Sequence, residues 1–231
     1  MNTFRPIVDV WLLGRPKVKY YGAYPSGFLE RARALLGVGY TDPVLHVCGG
    51  RVRDYPFRGF GPNDRTVDLD PELAPDFLMD VRRLGVKPGD LFPFLDDEAD
   101  GVEGAFCSVH EICDPDGPEA PWLWPAVLAD PPYSHEDAQH YAHAGDAFPA
   151  RADLLRRCLS IVRPGGRVGF LDVIAPRPPK HGVRFVAAVP VLLGFGNQVR
   201  IYSVYERETE HAPAARARAM RAIRGQKDSG S

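Results

Sequence analysis

The chain has 231 residues, 45% hydrophobic and 25% charged, with a formal net charge of −2. That is enough for one domain of ordinary α/β size and the usual balance of a soluble protein. The longest apolar runs, such as VAAVPVLLGFG at 186–196, are too short and too broken to span a bilayer.

The N-terminal stretch MNTFRPIVDVWLLG is interrupted by Asp9, and no small-residue cleavage site follows it. A cytoplasmic protein without membrane partners is therefore expected, and disulfides between Cys48, Cys107, Cys113 and Cys158 are not. The charge is unevenly spread. Residues 88–123 hold ten acidic side chains and no Lys or Arg, whereas 151–184 hold eight basic and two acidic ones. A polyanion would avoid the first region and favour the second.

Short apolar runs alternate with helix-like stretches, which predicts an α/β fold. The expected form is a Rossmann-like doubly wound sheet of about seven strands, mostly parallel, with a C-terminal antiparallel hairpin. PSGFLERARALLGVG (25–39) predicts a helix capped by Ser26, with Phe28, Ala32, Leu35 and Leu36 on one face and Gly37 or Gly39 at its end. PVLHVCGG (43–50) predicts a buried strand entering a glycine turn. RTVDLDPE (65–72) and FLMDV (77–81) predict short strands, the first ending in acids. PAVLAD (125–130) is the next strand. PARADLLRRCLSIVRPGG (149–166) predicts an amphipathic helix stopped at Pro164-Gly165-Gly166, and RVGFLDV (167–173) a strand after it. VRFVAAVPVLL and VRIYSVYER flank GFGNQ and predict the hairpin. The domain is expected to occupy 1–210, with an acidic insert at 82–123 and a basic, partly disordered tail at 211–231.

Three patterns carry chemistry. Gly49 and Gly50 allow a tight turn after the 43–50 strand, and Asp68 follows after about the 20 residues at which doubly wound domains place an acid on ribose hydroxyls; a simple turn after a core strand is the equal alternative for this pair alone. The G-x-G-x-x-G dinucleotide fingerprint is absent, which points to a nucleoside ligand without a pyrophosphate. Cys107-x2-His110-x2-Cys113 gathers three zinc-capable ligands with no second pair at a familiar spacing; a metal site and packed thiols beside a surface His both stay open. Third, a strand runs into Asp130-Pro131-Pro132-Tyr133. The prolines fix the backbone. Asp130 and the Pro131 carbonyl can accept both hydrogens of one NH2 group, and Tyr133 offers a flat face to a planar ring.

This DPPY corner resembles the catalytic motif of the class I S-adenosylmethionine-dependent amino-methyltransferases, which methylate N6 of adenine or N4 of cytosine. VLHVCGG resembles the family's first cofactor motif, which implies a backbone role for Cys48, Gly49 and Gly50. In VDLDPE the resemblance implies that Asp68 binds the ribose, with Leu69 beside the adenine and Asp70 as a substitute acid. Asp80 in LMDV resembles the acid that contacts the cofactor adenine. KYYGAYPSGFL (19–29) resembles the segment closing over the methionine end, with Tyr21, Gly22, Tyr24 and Pro25 as counterparts.

The first motif departs from the family by lacking an acid before its glycines, and no clear target-recognition domain is present. The resemblance implies S-adenosylmethionine as cofactor and DNA adenine as acceptor. RNA adenine, a protein glutamine amide, or a non-catalytic binding module are the alternatives. Arg177, Lys180 and Arg184, in the loop after GFLDV, are expected on the active-site side, either holding phosphates or lying in a solvated connection. Arg216, Arg218, Arg221 and Arg224 form a basic tail with the same two readings. His135, His140 and His143 are expected in a loop bordering the substrate.

Overall fold

The computed structural model describes residues 6–15, 18, 23–85, 123–134, 150–193 and 198–209. Tyr21, Gly22, the Cys107–His110–Cys113 cluster, His135, His140, His143, most of the acidic insert and the basic tail lie outside the described residues.

Among the described residues nine strands form one sheet: β1 (Ile7–Val8), β2 (Trp11–Leu12), β3 (Val44–Val47), β4 (Arg65–Asp68), β5 (Phe77–Leu78), β6 (Trp124–Ala129), β7 (Val162–Asp172), β8 (Val183–Leu192) and β9 (Arg200–Arg207). Their spatial order is β5-β4-β3-β6-β7-β9-β8, with β1 and β2 both paired to the outer edge of β8. All neighbours are parallel except β9, which runs antiparallel to β7 and β8. The expected mostly parallel sheet with an antiparallel terminal pair is what the chain forms.

Strands buried on both faces need apolar residues at every position rather than alternate ones. β6 meets that demand. Ala126 and Leu128 enter the core on one face, Val127 and Ala129 the core on the other. Helix α1 (Phe28–Leu36) covers the first face and packs Phe28, Leu29, Ala32 and Leu36 against Tyr202 and Val204 of β9. Helix α2 (Arg151–Ser160) covers the second with Leu154, Leu155, Cys158 and Leu159.

Three local expectations change. Ser26 does not cap α1; Gly27, in the left-handed region at φ 74°, takes that place with no side-chain hydrogen bond. Gly37, also left-handed at φ 72°, ends the helix as expected. The helix expected to run to Pro164-Gly165-Gly166 stops at Ser160. Val162 already pairs with Trp124, and the register then jumps so that Arg167 faces Ala126. Pro164-Gly165-Gly166 therefore form an irregularity inside β7, where a Cβ on Gly166 would stand 2.6 Å from Val162 Cγ1 and 2.7 Å from the Pro125 carbonyl. β1 and β2 were not expected at all; each is two residues long and held by pairing to β8.

No helix among the described residues is long and apolar enough to cross a membrane.

Candidate active site

Parallel strands deliver their carboxyl ends to one edge of the sheet, where open α/β sheets place ligands. Here β4 brings Asp68, β3 brings Cys48-Gly49-Gly50, β6 brings Asp130 and β7 brings Asp172. β9 runs the other way and so begins at this edge with Arg200, next to Ile201, which pairs with Asp172. Backbone hydrogen bonds continue past the strand ends and fix the turns: Cys48 N–H to Val67 O (3.0 Å), Asp130 N–H to Val47 O (3.1 Å) and Met79 N–H to Asp68 O (3.0 Å).

The glycine turn is built by unusual backbone angles. Cys48 has φ 56° and Gly50 φ 52°, both left-handed. Gly50 tolerates this freely; Cys48 carries a side chain there and is a local strain of the kind found at ligand sites. Burial, with the charge of Asp68 next, pushes the Cys48 thiol well above its ordinary pKa, so it is no thiolate nucleophile. Asp68 Oδ1 accepts the N–H groups of Leu69 (2.8 Å) and Asp70 (3.2 Å), and Oδ2 accepts that of Gly50 (3.3 Å). The carboxylate thus ties its own turn to the glycine turn. Burial raises its pKa against the pull of those hydrogen bonds. A cavity of about 220 Å3 opens beside it, lined also by Gly50, Arg51, Arg53, Thr66 and Glu72. Asp130 does not line that cavity.

Two expected cofactor acids are engaged locally. Asp70 caps the turn at Pro71–Leu73 by accepting from Glu72 N–H. Asp80 caps the turn at Val81–Arg83 and binds the Arg82 side chain at 2.7 Å. Both stand at the carboxyl edge, after β4 and β5. Leu69 is half-buried beside Asp68.

Tyr24 and Pro25 are buried. Tyr24 stacks on Phe28 (centroids 5.2 Å, planes 10° apart), yet its hydroxyl has no hydrogen-bond partner among the described residues. Burial, then the charge of Asp130, pushes its pKa well up. A buried phenol without a partner is costly. It fits a site that a ligand's polar group completes.

At the corner itself, Pro131 is buried and Pro132 half-buried. Burial pushes Asp130 up to about 7, against the pull of Arg200 and of the Tyr133 hydroxyl. The Tyr133 hydroxyl donates to Asp130 Oδ1 at 2.8 Å. It also accepts from Arg200 Nη1 at 2.9 Å, and the Arg200 guanidinium lies 5.5 Å from the centre of the Tyr133 ring. The ring expected to offer an open stacking face is therefore covered by a cation, and the carboxylate expected to receive an amine holds a phenol.

Three residues absent from the sequence reading complete the site. Arg151, the first residue of α2, binds Asp172 through Nε (2.6 Å) and Nη2 (3.1 Å), and Nη2 also donates to the Tyr133 carbonyl at 2.6 Å. Asp172 is fully buried. Together they clamp the backbone just after the prolines. Arg200 is the third. Only the run of acids and bases at strand ends hinted at them; their partners lie 18 to 67 residues away.

The loop after β7 does not keep its charges at this edge. It crosses the sheet, since β8 runs parallel to β7 and starts at the opposite end. Tyr205, level with Val168, donates to Pro176 O at 2.6 Å. Arg177 and Lys180 are exposed along the crossing. Arg184 lies at the far edge, where it pairs with Glu206 at 2.6 Å. The structure does not bring Arg184 to Asp130.

No protein-family model matches the chain, and no curated protein matches it. Among solved structures, it is similar to TrmN from Thermus thermophilus, with 19% identity and a TM-score of 0.46 over 81% of this chain and 50% of that one. It is similar to the N-methyltransferase NodS from Bradyrhizobium japonicum in complex with S-adenosyl-L-homocysteine, with 10% identity and a TM-score of 0.43 over 80% and 89%. It is similar to the 1,6-didemethyltoxoflavin-N1-methyltransferase from Burkholderia thailandensis, with 16% identity and a TM-score of 0.40 over 80% of each chain. This chain spans half the length of the Thermus protein.

Proposed function

We propose that the chain is an S-adenosylmethionine-dependent amino-methyltransferase whose acceptor is an exocyclic amine in DNA, N6 of adenine in preference to N4 of cytosine. The observation that carries this reading is the place of the Asp130-Pro131-Pro132-Tyr133 corner. It ends β6, next in the sheet to the strand with the glycine turn, which alone separates it from the strand that ends in Asp68.

The residues at that edge fit the cofactor. Asp68 is an acid at the ribose distance from the glycine turn, Gly50 leaves open space where a side chain would stand, and Tyr24 has an unused buried hydroxyl. When bound, S-adenosylmethionine supplies a methyl group on a sulfonium. Everything else falls to the chain. An aromatic amine is a poor nucleophile because its lone pair is spread into the ring. Asp130 and the Pro131 carbonyl accept its two hydrogens and favour a pyramidal nitrogen. The ionised Asp130 then faces the positive charge that grows on that nitrogen. Arg151 and Asp172 hold the Tyr133 carbonyl, so the corner keeps its shape as the acceptor enters. Tyr133 gives up its bond to Asp130 when the amine arrives, and its ring is then free to lie against the base. In duplex DNA the base must first leave the stack, at a cost of a few kcal/mol.

The test is transfer from methyl-labelled cofactor to DNA, RNA and protein in parallel, with wild type and Asp130→Ala. Label in DNA from wild type, lost in Asp130→Ala while calorimetry still reads cofactor binding, supports the reading. Absence of label in DNA overturns it, and label in RNA or protein would name the acceptor instead.

A further inference from the structure

We propose that Arg200 binds a phosphate of the acceptor nucleotide, on the side of Asp130 away from the cofactor ribose. This rests on the methyl-transfer reading above.

The first argument is position. Across the carboxyl edge the groups come in the order Asp68, glycine turn, Asp130, Asp172, Arg200. Asp68 and the glycine turn lie on the β3 and β4 side of Asp130 and Arg200 lies on the β9 side, with Tyr24 near enough to interact with both Asp130 and Arg200, so the acceptor enters beside Arg200 while the ribose end of the cofactor lies away from it.

The second argument is its lack of a counter-ion. Among the described residues, Arg33 pairs with Asp64, Arg151 with Asp172, and Arg167 and Arg184 with Glu206, while Arg207 at the far end of β9 spends its charge on the carbonyls of Leu159, Ser160 and Val162. Arg200 is half-buried, and its hydrogen bond goes to a neutral phenol; no described carboxylate stands within ion-pair distance. Burial disfavours the Arg200 charge, but Tyr133 and Asp130 outweigh burial and hold it cationic, and a contacting anion would add to that stabilisation. Asp130 is near enough to feel the cation, but burial resists full ionisation of that carboxyl. With Asp172 already neutralised by Arg151, and a sulfonium arriving on the other side, the pocket favours an anionic acceptor.

The third argument is reach. Arg200 and Asp130 are two hydrogen bonds apart through the Tyr133 hydroxyl. A base amine on Asp130 and a phosphate on Arg200 would sit at the two ends of the run that the Tyr133 hydroxyl bridges. The planar fork of Arg matches a phosphate better than the point charge of Lys does. When a phosphate takes the guanidinium, Tyr133 loses the cation that covers its ring, so anion binding and exposure of the stacking face occur together.

The experiment is a salt titration of DNA binding, read by fluorescence anisotropy of a labelled oligonucleotide with S-adenosylhomocysteine present. It compares wild type, Arg200→Gln and Arg200→Lys, all checked for equal melting temperature. One lost phosphate contact should lower the slope of log K against log salt by about 0.9 on duplex and weaken binding about tenfold in Arg200→Gln. Arg200→Lys should keep the slope and bind more weakly than wild type. In parallel, adenosine 5′-monophosphate should bind wild type more tightly than adenosine, and Arg200→Gln should erase that preference. An unchanged slope and an unchanged preference in folded Arg200→Gln overturn the proposal, as does the absence of any DNA binding by wild type. Methyl transfer to DNA with an unchanged slope would remove only this proposal. A reduced slope without methyl transfer would remove only the catalytic reading.

Discussion

The two edges of the sheet are built from the same residue types and treat some of them in opposite ways. At the amino edge, Asp64 is fully buried and saturated. It accepts from Arg33 Nη1 at 3.0 and 2.9 Å, from Val44 N–H at 3.0 Å, from Gly61 N–H at 2.7 Å, and meets His46 Nε2 at 3.1 Å. Burial pushes its pKa up, but these bonds outweigh burial and leave it below the usual carboxylate value. Arg33 also donates to the carbonyls of Gly39, Tyr40 and Asp42, which end the chain's turn below α1. At the carboxyl edge Asp130 has a phenol in place of a cation in contact, Tyr24 has no partner among the described residues, and Cys48 sits at a positive φ. The Asp64 network spends its groups on the fold, although His46 Nδ1 there also lacks a partner among the described residues. The other edge bonds Asp68 and Asp172 as fully but leaves Asp130 without a contacting cation, Tyr24 without a described partner and Cys48 strained, which is where ligand chemistry is expected.

The largest effect should come from breaking the saturated edge. Arg33→Ala leaves the Asp64 charge buried without its guanidinium partner and should cost about 3–5 kcal/mol in chemical denaturation. A loss under about 1 kcal/mol would show that the network is not structural.

The opposite sign is expected at the other edge. The folded pKa of Asp130, about 7, lies above the ordinary aspartate value. Its protonated form is favoured by folding, so its contribution is present at acid pH and is lost as pH rises through about 7. Asp130→Asn should therefore stabilise the fold at pH 8, on the order of 1–2 kcal/mol, and change little at pH 5. Asp64 behaves in reverse, since its depressed pKa contributes stability at neutral pH that is lost in acid. A melting curve for Asp130→Asn that shows equal shifts at both pH values would remove the contrast.

Tyr24→Phe removes a buried hydroxyl that no described residue satisfies. It should leave stability equal or raise it by about 1 kcal/mol, while weakening S-adenosylhomocysteine binding in calorimetry. Lower stability with unchanged affinity would make Tyr24 a structural residue. The smallest change sharpens the site's protonation. Methyl transfer should rise with pH up to about 7 and then level off, as Asp130 ionises. Arg200→Gln should move that inflection upward, because Arg200 lowers the Asp130 pKa. A flat profile would mean that Asp130 is not the group whose charge matters.

Much of the fold was legible because parallel strands buried on both faces read as apolar runs, as in VLHV and AVLA. β1 and β2 were not legible, since two-residue strands have no periodicity and exist only through pairing with β8. The helix stop at Pro164-Gly165-Gly166 was misplaced because the same residues serve a strand irregularity equally well, and pairing to Trp124 and Ala126 decides it. The site divides likewise. Asp130 to Tyr133 announced itself by local stiffness. Arg151, Asp172 and Arg200 are ordinary residues in sequence, and only the sheet brings them to Tyr133. Arg184 looked like a phosphate ligand until the crossing of the 173–182 loop put it at the other edge with Glu206.

The most direct measurement is mass spectrometry of nucleosides from DNA incubated with the full chain and S-adenosylmethionine. The account predicts N6-methyladenine from wild type and none from Asp130→Ala. DNA returned without any methylated nucleoside, or methylated equally by Asp130→Ala, would contradict it.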